Sequence, residues 1–145
     1  MKQTTITIAT EKGPEPLDAF LLPGMYTSGL CIVGFPNNGG GTSYGITHTN
    51  TGWAIIGAKT DDLDLVASML RKLWKALSTE EKQLLKLKDV DDMRAHPHYS
   101  LLGTKVVSVK NTLEHKIAEA IRREVRAERE ARNRPLSVAF ETGAS

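Results

Sequence analysis

Apolar and β-branched polar side chains alternate over residues 4–9, Thr-Thr-Ile-Thr-Ile-Ala, which is the period of a half-buried strand. Residues 29–35 are almost wholly apolar, as a central strand requires. Over residues 43–49, Tyr44, Ile46 and His48 alternate with Gly45, Thr47 and Thr49, and residues 53–58 supply a further strand. Asn50-Thr51-Gly52 between the last two has the length of a tight hairpin, with glycine where φ > 0 is needed. Residues 36–42, Pro-Asn-Asn-Gly-Gly-Gly-Thr, predict a mobile connection. Residues 11–16, with Gly13, Pro14 and Pro16, read as a loop, and residues 17–22 as a short helical turn stopped by Pro23-Gly24.

The period then changes from two to 3.6. Thr60 caps a predicted helix over residues 61–77, with Asp61, Asp62 and Asp64 first and Arg71, Lys72 and Lys75 last, the order the helix dipole favours. Leu63, Val66, Leu70, Leu73, Trp74 and Leu77 make its apolar face. Ser78 and Glu81 form a capping-box pattern that starts a second helix running to about residue 88, and residues 94–99 break it. Residues 104–109 suit a strand or a lead into the next helix. That helix starts at Asn111 with Glu114, carries Leu113, Ile117, Ile121 and Val125 every four residues, and stops at Pro135. Its distal half holds together on Glu119–Arg123, Glu128–Arg132 and Glu130–Arg134 pairing, each pair contributing about 0.2–0.5 kcal/mol. A helix of roughly 23 residues spans about 35 Å, more than a domain of this size needs to cover its core, so the distal half is expected to meet something else. The tail, residues 136–145, contains Ser137-Val138-Ala139-Phe140 and could add a strand to an edge.

The fold class that follows is α+β: a small antiparallel sheet packed by one amphipathic helix, with a long C-terminal Arg/Glu-rich helix. One domain over 1–145 is expected, β-rich over 1–59, helical over 60–135, with a tail after that. Composition changes little in this picture. The chain has 145 residues, 40% hydrophobic and 25% charged, as in ordinary globular proteins. The longest apolar run, residues 29–35, is far too short to cross a bilayer, so no membrane role is expected. No apolar stretch follows Lys2 as in a signal peptide, so the expected location is the cytoplasm, that of a host cell if a phage encodes the chain. Cys31 is the single cysteine and sits in an apolar run, so it reads as a buried, inert thiol.

The net charge of +2 is too mild to indicate nucleic acid by itself, but its distribution matters. Residues 116–134 hold seven cations (Lys116, Arg122, Arg123, Arg126, Arg129, Arg132, Arg134) against four glutamates, an excess of three. Arg122, Arg126 and Arg129, at i, i+4 and i+7, form one stripe, and Arg123 opens a neighbouring face. Arg122 and Arg126 lack an acid four positions earlier, so they are the leading candidates to face a ligand or partner with their planar forks. Asn38 and Gly40 in the glycine-rich connection are candidate ligand-loop residues, although no helix or lysine follows as in a phosphate loop. His48 is a candidate that also reads as a hydrogen-bonded sheet histidine. His96-Pro97-His98 offers two donors where a zinc site wants three or four. Trp53 and Trp74 are expected in the core.

Over residues 47–55, Thr-His-Thr-Asn-Thr-Gly-Trp-Ala-Ile, followed by Thr60 and an acid-first helix, the chain resembles small accessory proteins carried by bacteriophages and mobile elements. The resemblance covers residues 43–77 and implies binding rather than catalysis, commonly inhibition of host defence or regulation of host factors. The pattern shared is a turn and a cap, so it transfers no functional residue. Together these readings predict a non-catalytic binding or inhibitory protein, without cofactor or metal, forming a homo-oligomer. It would occupy a host protein or sequester a small phosphorylated or nucleotide ligand. The alternative is a nucleic-acid-binding module using the arginine helix. No recognisable nucleophile–base set supports an enzyme.

Overall fold

The computed structural model describes residues 1–133 in full apart from the side chain of Ala58, so the expectations for Pro135 and residues 136–145 lie outside the described residues. The elements in order are β1 (Lys2–Thr10), β2 (Gly13–Leu21), β3 (Leu30–Pro36), β4 (Thr42–His48), β5 (Trp53–Thr60), α1 (Leu63–Ala76), α2 (Thr79–Leu84), α3 (Val90–Ala95) and α4 (Tyr99–Ala144). The fold is α+β. The chain divides into two compact units, Met1–Leu113 and Glu114–Ser145, with the boundary inside α4.

In the first unit the five strands form an antiparallel meander in sequence order. Ile32 stands opposite Ile46 and Ile46 opposite Ile56, so these three share a face, and all are buried. α1 covers that face, lying over β3 and β4 with Val66, Ala67, Met69, Leu70 and Leu73 buried beneath it. Each of its larger side chains contributes roughly 1.5–3 kcal/mol by leaving water. Its cap is Asp62, whose carboxylate accepts from the Leu65 amide. Thr60 instead accepts from the Asp62 amide one step outside the helix.

The opposite face carries a second cluster, Ile8, Ala19, Cys31 and Val33, flanked by Ile6, Leu17, Leu21 and Phe35. The sheet curls to shield it: a Cβ placed on Gly52, in the β4–β5 turn, would come to 3.4 Å of the Thr7 carbonyl oxygen in β1. Cys31 is buried there and its thiol points at the Thr47 carbonyl oxygen. Burial pushes that thiol above its ordinary pKa, which keeps it protonated and unreactive.

Three elements differ from the sequence reading. Residues 13–21 form β2 rather than a loop and a helical turn. Glu15, Leu17 and Ala19 point one way and Pro14, Pro16 and Asp18 the other, a period of two that the prolines obscure. Pairing with β3 is confined to Ala19 and Phe20, so both prolines lie where β2 has a neighbour on one side only and a missing N–H is tolerated. The second helix ends early, at Leu84, and a separate turn of helix, α3, follows before Pro97. Residues 104–109 are helical: α4 begins at Tyr99, and Leu102, Val109 and Leu113 are buried at i, i+7 and i+11. Asn111 is therefore inside a helix and caps nothing.

Candidate functional site

The hairpin of residues 47–52 is a structural clasp. His48 has no exposed surface, and both ring nitrogens are engaged. Nε2 lies 2.6 Å from the Leu85 carbonyl oxygen, which only accepts, so Nε2 carries the proton. Nδ1, 2.8 Å from Thr51 Oγ1, then accepts from that hydroxyl. Asn50 Nδ2 donates to the Lys86 and Leu87 carbonyls at 3.2 and 3.4 Å. The Thr-His-x-x-Thr-Gly pattern thus ties β4–β5 to the carbonyls at and beyond the C-terminal end of α2, groups a helix end leaves unsatisfied. With both nitrogens occupied, His48 has no free lone pair or proton to offer a ligand.

The β3–β4 connection is a closed turn. The Asn37 amide donates to the Gly41 carbonyl at 3.0 Å, the Gly40 amide to the Asn37 carbonyl at 3.1 Å, and Ser43 Oγ to Asn37 Oδ1 at 2.9 Å. Asn37 is the residue that holds the turn, which sequence reasoning passed over in favour of Asn38. The Gly40 amide is spent inside the turn and does not point at an anion. The connection expected to be mobile thus carries three hydrogen bonds centred on one asparagine.

His96 Nδ1 accepts from the His98 amide at 3.1 Å, and the two rings stand 5.6 Å apart. Among the described residues, no three of His, Cys, Asp and Glu converge as a metal site would need.

Trp53 is not in the core. It is 39% exposed, and the Arg94 guanidinium lies over its ring, 5.1 Å from the centroid. Trp74 is half-buried, with the Lys82 ammonium 4.5 Å from its ring centre. Both rings keep a face for a cation, a role that counting tryptophans as core residues conceals.

In the second unit the arginines are arranged along α4. Ile121, Arg122, Val125, Arg126 and Arg129 lie side by side on one face of the helix, and all five are exposed. With about 100° between successive residues, Ile121, Arg132, Val125, Ala118, Arg129, Arg122 and Arg126 fall within about 140° of arc. Among residues 118–133 that arc contains no carboxylate. Glu119, Glu124, Glu128 and Glu130 occupy the remainder, and Arg123 lies among them, apart from the other candidates.

The pairing expected to neutralise this helix differs from the sequence reading. Glu119 pairs with His115, Oε1 to Nε2 at 3.0 Å, rather than with Arg123. Among the described residues no ion pair joins Glu128 to Arg132, and Glu130–Arg134 lies outside them. Exposed pairs of this kind contribute so little that their side chains stay in solvent.

The apolar seam also turns. Steps of four residues advance about 40° each, so Leu113 is buried while Ile121 and Val125, at 55% and 40% exposure, have rotated onto the arginine face. Comparison of the chain with protein-family models, with curated proteins and with solved structures gave no match.

Proposed function

We propose that the chain is a non-catalytic binding protein that occupies the acidic surface of another protein through α4, acting as an inhibitor or regulator of the phage or mobile-element kind. The observation that carries this reading is the mixed composition of one exposed helix face: Arg122, Arg126 and Arg129 around Ile121 and Val125, with no carboxylate among them. Guanidinium forks pair with carboxylates, and the two aliphatic side chains gain by being covered. A single helix is convex and encloses nothing, so an extended partner suits it better than a small phosphorylated molecule. A second copy offering the same face would set arginine against arginine, so the partner is a different protein.

A second reading, nucleic acid, is favoured by the same carboxylate-free arc, because phosphates accept guanidinium groups along a strand. Phosphates leave Ile121 and Val125 without a role, which is why it stands second.

The test is native mass spectrometry of the chain captured from the cells that make it, beside an Arg122→Ala/Arg126→Ala/Arg129→Ala variant and a Val125→Asp variant. One protein at fixed stoichiometry is expected with the wild type, and its retention is expected to fall at least tenfold in each variant while the fold is unchanged. A retained nucleic acid, lost by about 0.9 log units per log salt for each phosphate contact, would instead select the second reading. Retention of the same partner by both variants would overturn both.

A further inference from the structure

The first unit holds a cleft of about 240 Å³ between the start of β5 and the first turns of α4, walled by Trp53, Ile55, Tyr99, Leu102, Gly103 and Val106. Tyr99, Leu102, Gly103 and Val106 share one helix face, at i, i+3, i+4 and i+7. Gly103 is the only glycine between Tyr99 and Asn133. A glycine inside a helix costs about 1 kcal/mol relative to alanine, and here nothing in the chain requires it: a Cβ at Gly103 would meet no atom within 4 Å. What the glycine does is keep the wall of the cleft open.

We propose that this cleft receives an aromatic side chain of a partner polypeptide that carries an acidic residue beside it. The volume is below the roughly 300–1,000 Å³ of small-molecule pockets and above the roughly 150 Å³ that one benzene occupies, so it suits a single anchoring ring. No charged side chain lines it, so the inserted group is neutral. The Trp53 and Tyr99 rings offer it edge-to-face or offset contacts. Arg94, resting on Trp53, makes no ion pair among the described residues, so a carboxylate adjacent to the anchor has a guanidinium to meet. Trp, Tyr and Arg are also the residue types that dominate binding hot spots. This site lies in the first unit and stands whether or not the α4 arginines bind anything.

The test is a titration of the ¹⁵N-labelled full chain with N-acetyl-Asp-Phe-Asp-amide, with N-acetyl-Lys-Phe-Lys-amide and with free indole, followed by amide and indole N–H shifts. The acidic peptide is expected to shift the Trp53 indole and the Ala54 and Gly103 amides, to leave the Trp74 indole unmoved, and to bind at least threefold more tightly than the basic one. Gly103→Leu, which fills the cleft with a better helix former, is expected to abolish those shifts in a folded protein. Arg94→Ala is expected to remove the preference between the peptides and keep the binding. Equal binding of both peptides by the wild type, shifts that survive Gly103→Leu, or no shift in the cleft at all would overturn the proposal. So would free indole binding as tightly as the acidic peptide, which would show that the flanking carboxylates add nothing and make the cleft a small-molecule site.

Discussion

Gly29→Ala is expected to destabilise the protein by about 3–5 kcal/mol, although it adds one methyl group at a half-buried loop position. The residue sits at φ +85°, and a Cβ there would lie 2.6 Å from the Leu85 carbonyl oxygen and 3.3 Å from its carbon. The left-handed backbone costs a non-glycine residue roughly 1–2 kcal/mol, and forcing a group into packed space costs about 1–3 kcal/mol more. The neighbour cannot give way freely, because that carbonyl accepts the His48 Nε2 proton. Displacing it would leave a buried imidazole N–H unpaired, itself a penalty of about 1–3 kcal/mol. The Gly29 carbonyl also accepts from the Thr49 amide at 2.8 Å, so the strain reaches the hairpin from both sides. Gly13→Ala is the control. Its φ is +103°, but a Cβ there meets nothing within 4 Å, so only the backbone cost of roughly 1–2 kcal/mol applies. Urea unfolding of the two variants and the wild type measures the difference. Equal losses at both glycines would show that the Leu85 carbonyl moves aside and that the clasp is not rigid.

The clasp shows where sequence reading reaches its limit. The alternation around His48 and the glycine of the turn predict a strand and a hairpin from local chemistry, and both are there. Leu85, 37 residues further on, is what turns the histidine into a fastener, and no local pattern carries that partner. The same division runs through the molecule. The Ser78–Glu81 box starts α2 as its spacing predicts, whereas the reach of Lys105 to Glu81 depends on how α4 packs. β2 was hidden because two prolines signal a loop, and only the one-sided pairing of that strand explains their presence. The start of α4 was hidden because Val106-Val107 reads as strand when the buried period of Leu102, Val109 and Leu113 is not traced across it. On the distal part of α4 the grouping of Arg122, Arg126 and Arg129 follows from helical spacing alone. The exclusion of every glutamate from that arc also follows, once Ile121 and Val125 are placed on the same wheel. Trp53 shows the opposite case. Residue type predicts burial, and position on β5 beside Arg94 and the α4 cleft sets its exposure instead.

Lys105→Met is expected to cost about 3 kcal/mol at pH 7, and the loss should shrink as the pH is lowered. Glu81 is 2% exposed and Lys105 Nζ donates to its Oε1, which also accepts from Ser78 Oγ at 3.0 Å. Glu81 Oε2 is buried without a hydrogen-bond partner among the described residues, so the lysine carries much of the compensation. Removing one member of a buried pair typically costs about 3–5 kcal/mol because a charge is left uncompensated. The lower figure applies here because the Lys105 side chain is 33% exposed and partly screened. Burial pushes the Glu81 carboxyl upward, but the hydrogen bonds from Lys105 and Ser78 and the lysine charge outweigh it, and the group ends below its ordinary pKa. A carboxylate depressed on folding stabilises the native state above its unfolded pKa of about 4.3, and that contribution is lost as pH falls through the folded value. In Lys105→Met the desolvation remains and the opposing charge is gone, so the folded pKa rises above that of the wild type and protonation relieves the buried charge as the pH falls. Urea unfolding at pH 7 and at pH 4 should therefore show a large gap between wild type and variant at the first and a small one at the second. The double variant Glu81→Leu/Lys105→Met, which removes both charges, should recover most of the loss at pH 7. A gap that is the same at both pH values, or a double variant no better than the single one, would mean that the lysine acts through its alkyl stem and that the pair is electrostatically idle.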